Sequence, residues 1–274
     1  MSFWQHHGTS TQNDAAMSFT ELRDTMNIIG GGHVTKGGSM TAPSIVAGYT
    51  TKADTSSQTS RTIDTPTHVS GDYIFIAVTN DDNSGTINTP SGSTPIYDNI
   101  LIKTGGGSTV ANGSLYYKVA GGSEPSTYTI TLSSSERVGA VAFAVTGVGD
   151  IDYTASTLQA DDSTAEVPSV TTSVDDCLRI SVVWCDGTTQ TTPHGAVTNH
   201  TKLGEAWYTS SGAVSVHYKT VASAGSDGGS ESSTLAASFR WASGSIALSP
   251  ESTTYDPTIA SFATDAPTVG SPTL

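Results

Sequence analysis

The chain has 274 residues and a formal net charge of −14, and only 13% of its residues are charged and 35% hydrophobic. The acidic balance disfavours nucleic acid and anionic membrane surfaces as partners, and no apolar run approaches the ~20 residues that a membrane-spanning helix needs. Serine, threonine and glycine make up much of the remainder. Because these residues are poor helix formers, the composition excludes a helical bundle.

Residues 1–42 are predicted to form an N-terminal arm that carries one short helix. Ser18 and Glu21 have the spacing of a capping box, which predicts a helix over 18–29, and the glycine run from Gly30 ends it. The apolar stripe of this helix favours insertion into a neighbouring subunit, and the ordinary alternative is docking on the chain's own body. The predicted assembly contacts are the apolar residues of the arm: Phe3, Trp4, Phe19, Leu22, Met26 and Ile29.

Residues 43–250 are predicted to form an all-β body. Short apolar runs alternate with turn clusters rich in Asp, Asn, Ser and Gly, and the many Ser and Thr suit the outward faces of strands. This pattern favours an antiparallel β-sandwich or jelly roll. The predicted strands are 44–49, 73–79, 114–120, 127–132, 138–146, 166–172, 177–184, 203–208, 213–221, 233–239 and 243–248.

A weak internal repeat suggests that the body consists of two duplicated halves, 43–150 and 151–250. Landmarks of the first half recur about one hundred residues later in the second. The ordinary alternative is that β-chains rich in Ser and Thr align to themselves easily, and the sequence leaves both interpretations open. The matching landmarks are Asp72 and Asp176, Asp81 and Asp186, and the segments 117–120 and 218–222.

Residues 251–274 contain several prolines and are predicted to be an extended C-terminal tail. The two cysteines are predicted to stay free. On one extended strand Cys177 and Cys185 would lie about 26 Å apart, whereas a disulfide needs Cα atoms within about 7 Å. We therefore expect two small buried hydrophobic residues and no oxidising compartment. No secretory signal is recognisable at the N-terminus.

Catalytic motifs such as G-x-S-x-G, H-E-x-x-H and the P-loop are missing from the sequence, so we expect no enzyme, no catalytic residue and no resident cofactor. The weak candidates for a metal, which would be calcium, are Asp81, Asp82, Asp150 and Asp152; the alternative is that such residues only form turns. A glycoside hydrolase or lyase would need two carboxylates that face each other across a cleft, and replacement of Asp81, Asp150 and Asp186 would test this alternative. His194 and His200 share one segment, for which an ordinary loop is favoured over a metal or catalytic site.

Aromatic residues offer a second type of binding site. A flat, exposed row of rings could stack on sugars, and its candidates are Tyr97, Tyr116, Tyr128 and Trp207. Trp184 and Trp241 lie in apolar strands and are predicted to belong to the core.

Two parts of the chain resemble known families. The segment 17–24, followed by the glycines at 30–32 and 37–38, resembles a short N-terminal motif of tailed-bacteriophage virion proteins, although 33–36 diverges from it. The body resembles a β-sandwich domain of phage and environmental bacterial surface proteins. The residues that carry this second resemblance are 71–73, 89–92, 117–120, 124–128 and 138–140. This resemblance brings no catalytic residues with it.

Together these observations predict a structural protein on the surface of a phage virion, assembled in the host cytoplasm. It would decorate or cement the capsid, or belong to the tail or its fibres, and the chain termini would hold it in place. Its partners would be other virion proteins and copies of itself, with no nucleic acid and no membrane insertion. The alternative function is a carbohydrate-binding adhesin that recognises host-surface glycans.

Overall fold

The computed structural model of the chain describes residues 40–81, 85–103, 109–155, 157–186, 194–208, 212–227 and 231–252. The predicted helix over 18–29, the six apolar contacts of the arm and the tail beyond residue 252 lie outside these residues. Within them the regular elements are β-strands. No helix in this part of the chain is long and apolar enough to cross a membrane.

The strands differ greatly in length, from two residues to the 22 residues of the last one. In chain order they are β1 (Met40–Thr41), β2 (Ser44–Ala53), β3 (Gln58–Asp64), β4 (Tyr73–Asn80), β5 (Ile87–Asn88), β6 (Thr94–Lys103), β7 (Thr109–Val119), β8 (Thr127–Glu136), β9 (Val138–Thr146), β10 (Val148–Thr154), β11 (Leu158–Val167), β12 (Val170–Thr172), β13 (Cys177–Asp186), β14 (Thr201–Tyr208), β15 (Gly212–Val221), β16 (Gly225–Asp227) and β17 (Glu231–Ser252).

The first half of the described chain forms two antiparallel sheets. One has five strands in the order β2-β9-β4-β7-β6, and the other has three in the order β3-β8-β5. The central strand β4 is apolar at successive positions because both of its faces are covered. Phe75 and Ala77 point to one face, and Ile74, Ile76 and Val78 point to the other, since side chains alternate along a strand.

The second half forms a larger antiparallel sheet with the path β1-β17-β13-β15-β14. Strand β17 is long enough to pair with β13 along one edge and with β10 and β11 along the other. Strands β12 and β16 form a separate two-stranded sheet.

The largest hydrophobic core is built by residues of both central sheets. The rings of Phe75 and Phe143 stack at 5.2 Å between centroids, and Tyr97 meets Trp184 edge-on at 5.7 Å. Burying side chains of this size stabilises the fold by about 1.5–3 kcal/mol each. The apolar residues contributed by the second half include Leu178, Ile180, Val182, Trp184, Val214, Val216, Ile246 and Leu248.

Each half also has an outer core on the opposite face of its central sheet. In the first half, Ile74 and Ile76 of β4 pack with Tyr128 and Ile130 of β8. In the second half, Val183 and Cys185 of β13 share a cluster with the beginning of β17. Both cysteines are buried and free, as predicted.

The pairing register repeats between the halves. The central strand, β4 in one sheet and β13 in the other, pairs with a strand on each side. One of its apolar residues pairs with a tyrosine of one neighbour and with an apolar residue of the other. The matching rows are Phe75 with Tyr117 and Phe143, and Ile180 with Tyr218 and Ile246. The predicted landmarks Asp72 and Asp176 both come directly before the central strand of their half.

The all-β prediction is confirmed, and most predicted strands are present. The sequence missed β1, β3, β5, β6, β10 and β16, and it predicted only the last two residues of β11. Their residues are largely exposed or polar, as in β11, so hydrophobic periodicity could not find them. The predicted strands 233–239 and 243–248 are one continuous strand, β17, and the predicted strand 166–172 is the end of β11 followed by β12.

Candidate functional site

The two ends of the described chain lie side by side. Met40 is the register partner of Ser252, and Thr41 is the partner of Glu251. The Glu251 amide also donates a hydrogen bond of 2.8 Å to the Gly147 carbonyl, which holds this end of β17 to the body. The segments 1–39 and 253–274 therefore begin from one place on the body.

The predicted acidic candidates separate into two groups. Asp81 accepts a hydrogen bond of 2.9 Å from the Arg137 amide and lies 3.5 Å from its guanidinium. Asp186 lies 2.8 Å from the guanidinium of Arg240. Burial raises the pKa of Asp186, Arg240 opposes this, and the charge of Asp81 adds to the increase, so the two carboxylates are near each other.

The remaining acidic candidates lie elsewhere. Asp150 accepts a hydrogen bond of 2.7 Å from the next amide, that of Ile151, and Asp152 accepts one of 2.7 Å from the Ser173 amide. Both belong to β10, so the structure does not bring Asp150 together with Asp81. Asp82 lies outside the described residues, and within them no group of three or more His, Cys, Asp or Glu is placed to hold a metal ion.

The predicted sugar-stacking row is wrong. Tyr97, Tyr116 and Tyr128 are 5%, 0% and 4% exposed, so they cannot present their faces to a ligand. Their hydroxyls find partners inside the protein; that of Tyr97 donates to the carbonyls of Ala155 and Ser245, for example. Of the four candidates only Trp207 is exposed, at 36%. Trp184 and Trp241 are buried, as predicted.

The charged and titratable side chains concentrate instead against the outer face of the second central sheet. Arg179 is fully buried at the third position of the apolar strand β13. Its guanidinium donates to Glu231 at 2.6 Å, to Asp227 at 3.0 Å and to the Pro168 carbonyl at 2.7 Å. The ammonium of Lys219 completes a four-charge group, at 2.7 Å from Asp227 and 2.8 Å from Glu231.

The charges in this group balance, and each has a partner. Burial alone would raise the pKa of Asp227, but hydrogen bonds from Lys219 and Arg179 outweigh it and lower this pKa. These contacts therefore favour the ionised form of Asp227 inside the protein.

Three histidines lie on this side of the sheet: His200 is next to the ionic group, and His217 is next to His200 and His194. The imidazole of His217 accepts a hydrogen bond at Nδ1 from the Val197 amide at 3.3 Å, so its proton is on Nε2, 3.0 Å from the Ser215 hydroxyl. Burial and then the charge of Lys202 lower the pKa of His217 to about 3. The ring of His194 is also buried; neither of its nitrogens has a hydrogen-bond partner among the residues that the structure describes, and its Nδ1 lies 3.5 Å from a carboxylate oxygen of Glu205. Burial lowers its pKa to about 4.

His200 completes an arrangement that resembles a catalytic relay. Its Nδ1 lies 3.0 Å from the Thr198 carbonyl and 3.8 Å from Glu231, and its Nε2 lies 3.3 Å from the Ser181 hydroxyl. However, Ser181 is fully buried in the middle of β13 and also bonds Ser245 at 2.9 Å. A nucleophile in this position cannot meet a substrate, so the contacts hold the fold together.

Sequence reasoning singled out His194 and His200 but missed Arg179, Ser181 and His217. The available signal was a polar residue at every second position near the start of β13, within a strand that is otherwise apolar. A face that is buried yet polar has to meet other polar groups.

Comparison with known proteins adds no relationship: no family model, no curated protein and no solved structure matches this chain.

Proposed function

We propose that the chain is a non-enzymatic structural protein displayed on the surface of a bacteriophage virion. It decorates or cements the capsid, or forms part of the tail or its fibres, and the terminal segments attach it to other virion proteins and to copies of itself. Its body is a β-sandwich of two duplicated halves.

The observation that carries this proposal is the pairing of Met40 with Ser252. Segments that continue the chain from two adjacent residues can both reach the same neighbouring surface. Several weak contacts on such linked segments add up to firm attachment without one tight site. The sequence supplies the contacts, since the apolar stripe of the predicted helix over 18–29 belongs to one of these segments.

The body is suited to display. Its two central sheets share one hydrophobic core, which favours a single cooperative unit. The repeated register, with Phe75 and Ile180 in matching rows, supports the duplication. A net charge of −14 keeps many copies soluble until they assemble.

Incorporation into particles tests the proposal. Virions are purified from a lysate of the encoding phage in which the gene carries the double substitution Leu22→Ser and Ile29→Ser, and the chain is measured by quantitative mass spectrometry. We expect the unaltered chain in the particles and at least a tenfold loss for the double variant, because two buried apolar contacts contribute about 3–6 kcal/mol.

The matched control is Val69→Ser, which alters an apolar residue of the body that is 66% exposed. It should be incorporated normally. Absence of the unaltered chain from purified particles, or equal incorporation of all three forms, would contradict the proposal.

A further inference from the structure

The segment 194–200 covers the outer face of the second central sheet. It runs along the beginning of β17, where the Gly195 amide donates to the Thr234 carbonyl at 2.9 Å and the Thr198 amide donates to the Ser232 carbonyl at 3.0 Å. Its apolar residue Val197 is 1% exposed and belongs to the outer core of this half. This segment, which we name the latch, therefore closes that core.

One contact that holds the latch requires a neutral histidine. The Val197 amide donates to Nδ1 of His217, and a nitrogen that carries a proton cannot accept this bond. On His200, Nδ1 faces the Thr198 carbonyl, so Nε2 is the acceptor for the Ser181 hydroxyl. Protonation of His217 removes the contact between the Val197 amide and the sheet beneath the latch, whereas a protonated His200 can still donate from Nε2 to the Ser181 hydroxyl.

The charged groups around these rings do not reverse this effect. Burial is the largest cause that lowers the pKa of all three histidines, and the charges of nearby cations lower it further, while Glu205 opposes this at His194 and Glu231 opposes it at His200. The titratable and charged groups that face the three histidines are Arg179 of β13, Lys202 and Glu205 of β14, Lys219 of β15 and Glu231 of β17. Both carboxylates already pair with a lysine, Glu205 with Lys202 and Glu231 with Lys219.

We propose that the latch is a pH-sensitive switch: protonation of His194, His200 and His217 releases segment 194–200 and exposes the outer core of the second half, while the first half stays closed. In the first half the described residues include one histidine, His68, whose ring bonds the Pro66 carbonyl two residues away. Protonation of buried histidines therefore affects the second half of the described chain and not the first.

The direction of the pH effect follows from which state, closed or released, binds protons more readily. Each latch histidine takes up a proton near its ordinary pKa of about 6.5 when released, but only at a lower pH when closed. The closed state is thus fully favoured above pH ~6.5 and loses stability as the pH falls towards about 4. Each such histidine changes the opening equilibrium up to about tenfold per pH unit in this window.

Thiol labelling measures the opening. Cys185 is buried in the same outer core as Val197, and Cys177→Ala leaves it as the single cysteine of the chain. Its labelling by 4,4′-dithiodipyridine, a reagent that reacts with thiols in acid, is followed from about pH 7 to about pH 4.5. Each rate is divided by that of the unfolded chain at the same pH, which leaves the opening constant. We expect its logarithm to rise with acid at a slope between one and three protons.

Substitution of single histidines identifies the protons involved. His217→Asn keeps an acceptor for the Val197 amide but does not titrate, so the slope should fall by about one. His194→Asn should also lower the slope by about one. Because no described residue hydrogen-bonds the ring of His194, we expect this variant to disturb folding least. His68→Asn is the matched control and should leave the slope unchanged. A flat profile in the parent protein would overturn the proposal, as would a slope unaffected by His194→Asn and His217→Asn.

Discussion

The outer cores of the two halves occupy matching places in the register but have opposite chemistry. In the first half the row through the middle of the central sheet is Ile76 with Tyr116 and Ala142. In the second half the matching row is Ser181 with His217 and Ser245. One position earlier on the same face, the first half has Ile74 opposite Lys118, and the second has Arg179 opposite Lys219.

The two halves share an ion pair that is made by a lysine of the strand next to the central one. Lys118 pairs with Glu124 at 2.8 Å, as Lys219 pairs with Asp227 at 2.7 Å. Only the second half adds a fully buried arginine beside this pair. One backbone arrangement thus supports either an apolar or an ionic interior, but the ionic version is stable only while every charge keeps its partner.

The largest effect on this comparison should come from Arg179→Met. Removal of the guanidinium deprives buried Glu231 of its partner at 2.6 Å and the Pro168 carbonyl of its donor. Loss of one partner from a buried ion pair costs about 3–5 kcal/mol. Chemical unfolding followed by circular dichroism should show this decrease in the free energy of unfolding.

A double variant sharpens the same test by placing in the second half two residue types of the first half's outer core, which contains Ile74 and Tyr128. Arg179→Ile with Glu231→Tyr removes both members of the strongest contact and leaves Lys219 with Asp227. Because apolar replacement of a whole buried pair is often neutral or stabilising, we expect the double variant to recover most of the loss caused by Arg179→Met. A double variant as unstable as the single one would show that the halves are not interchangeable here.

A smaller effect should come from Gly113→Ala, which tests whether the halves share one core. A Cβ at Gly113, in the first half, would collide with the ring of Trp184, in the second. Overpacking of this kind costs about 1–3 kcal/mol. The midpoint of thermal unfolding should fall while near- and far-ultraviolet circular dichroism still change together. Gly122→Ala is the control, because nothing lies within 4 Å of a Cβ there, and its effect should stay within about 0.5 kcal/mol.

The smallest effect should come from Lys118→Met. Burial would raise the pKa of Glu124, but hydrogen bonds from Lys118, the Gly121 amide and Tyr128 outweigh it and lower this pKa to about 2. A lowered carboxyl pKa adds stability above pH ~4.5, which is lost as the pH falls towards 2. The variant should raise the pKa of Glu124, as measured by carbon NMR titration, and cost under about 1 kcal/mol at neutral pH. An unchanged pKa would show that Lys118 is not its cause.

Much of the architecture could be predicted from the sequence. The apolar runs of β4 and β13 predicted buried strands, and the recurrence of Asp72 as Asp176 indicated the matching positions that the register shows. The strands β3 and β11 could not be predicted, since their exposed residues need no apolar pattern. The same limit explains Tyr97: an aromatic residue on an edge strand reads the same in sequence whether its ring faces solvent or a neighbouring sheet.

The sequence by itself determined the class of the protein: a β-rich, acidic chain with free cysteines and polar terminal segments, because composition and period-two patterning act locally. Only the tertiary structure decided that Arg179, His200 and Glu231 meet inside one half, and that Met40 and Ser252 lie side by side. Partners separated by tens or hundreds of residues are chosen by strand pairing and sheet packing, and neither leaves a local trace in the sequence.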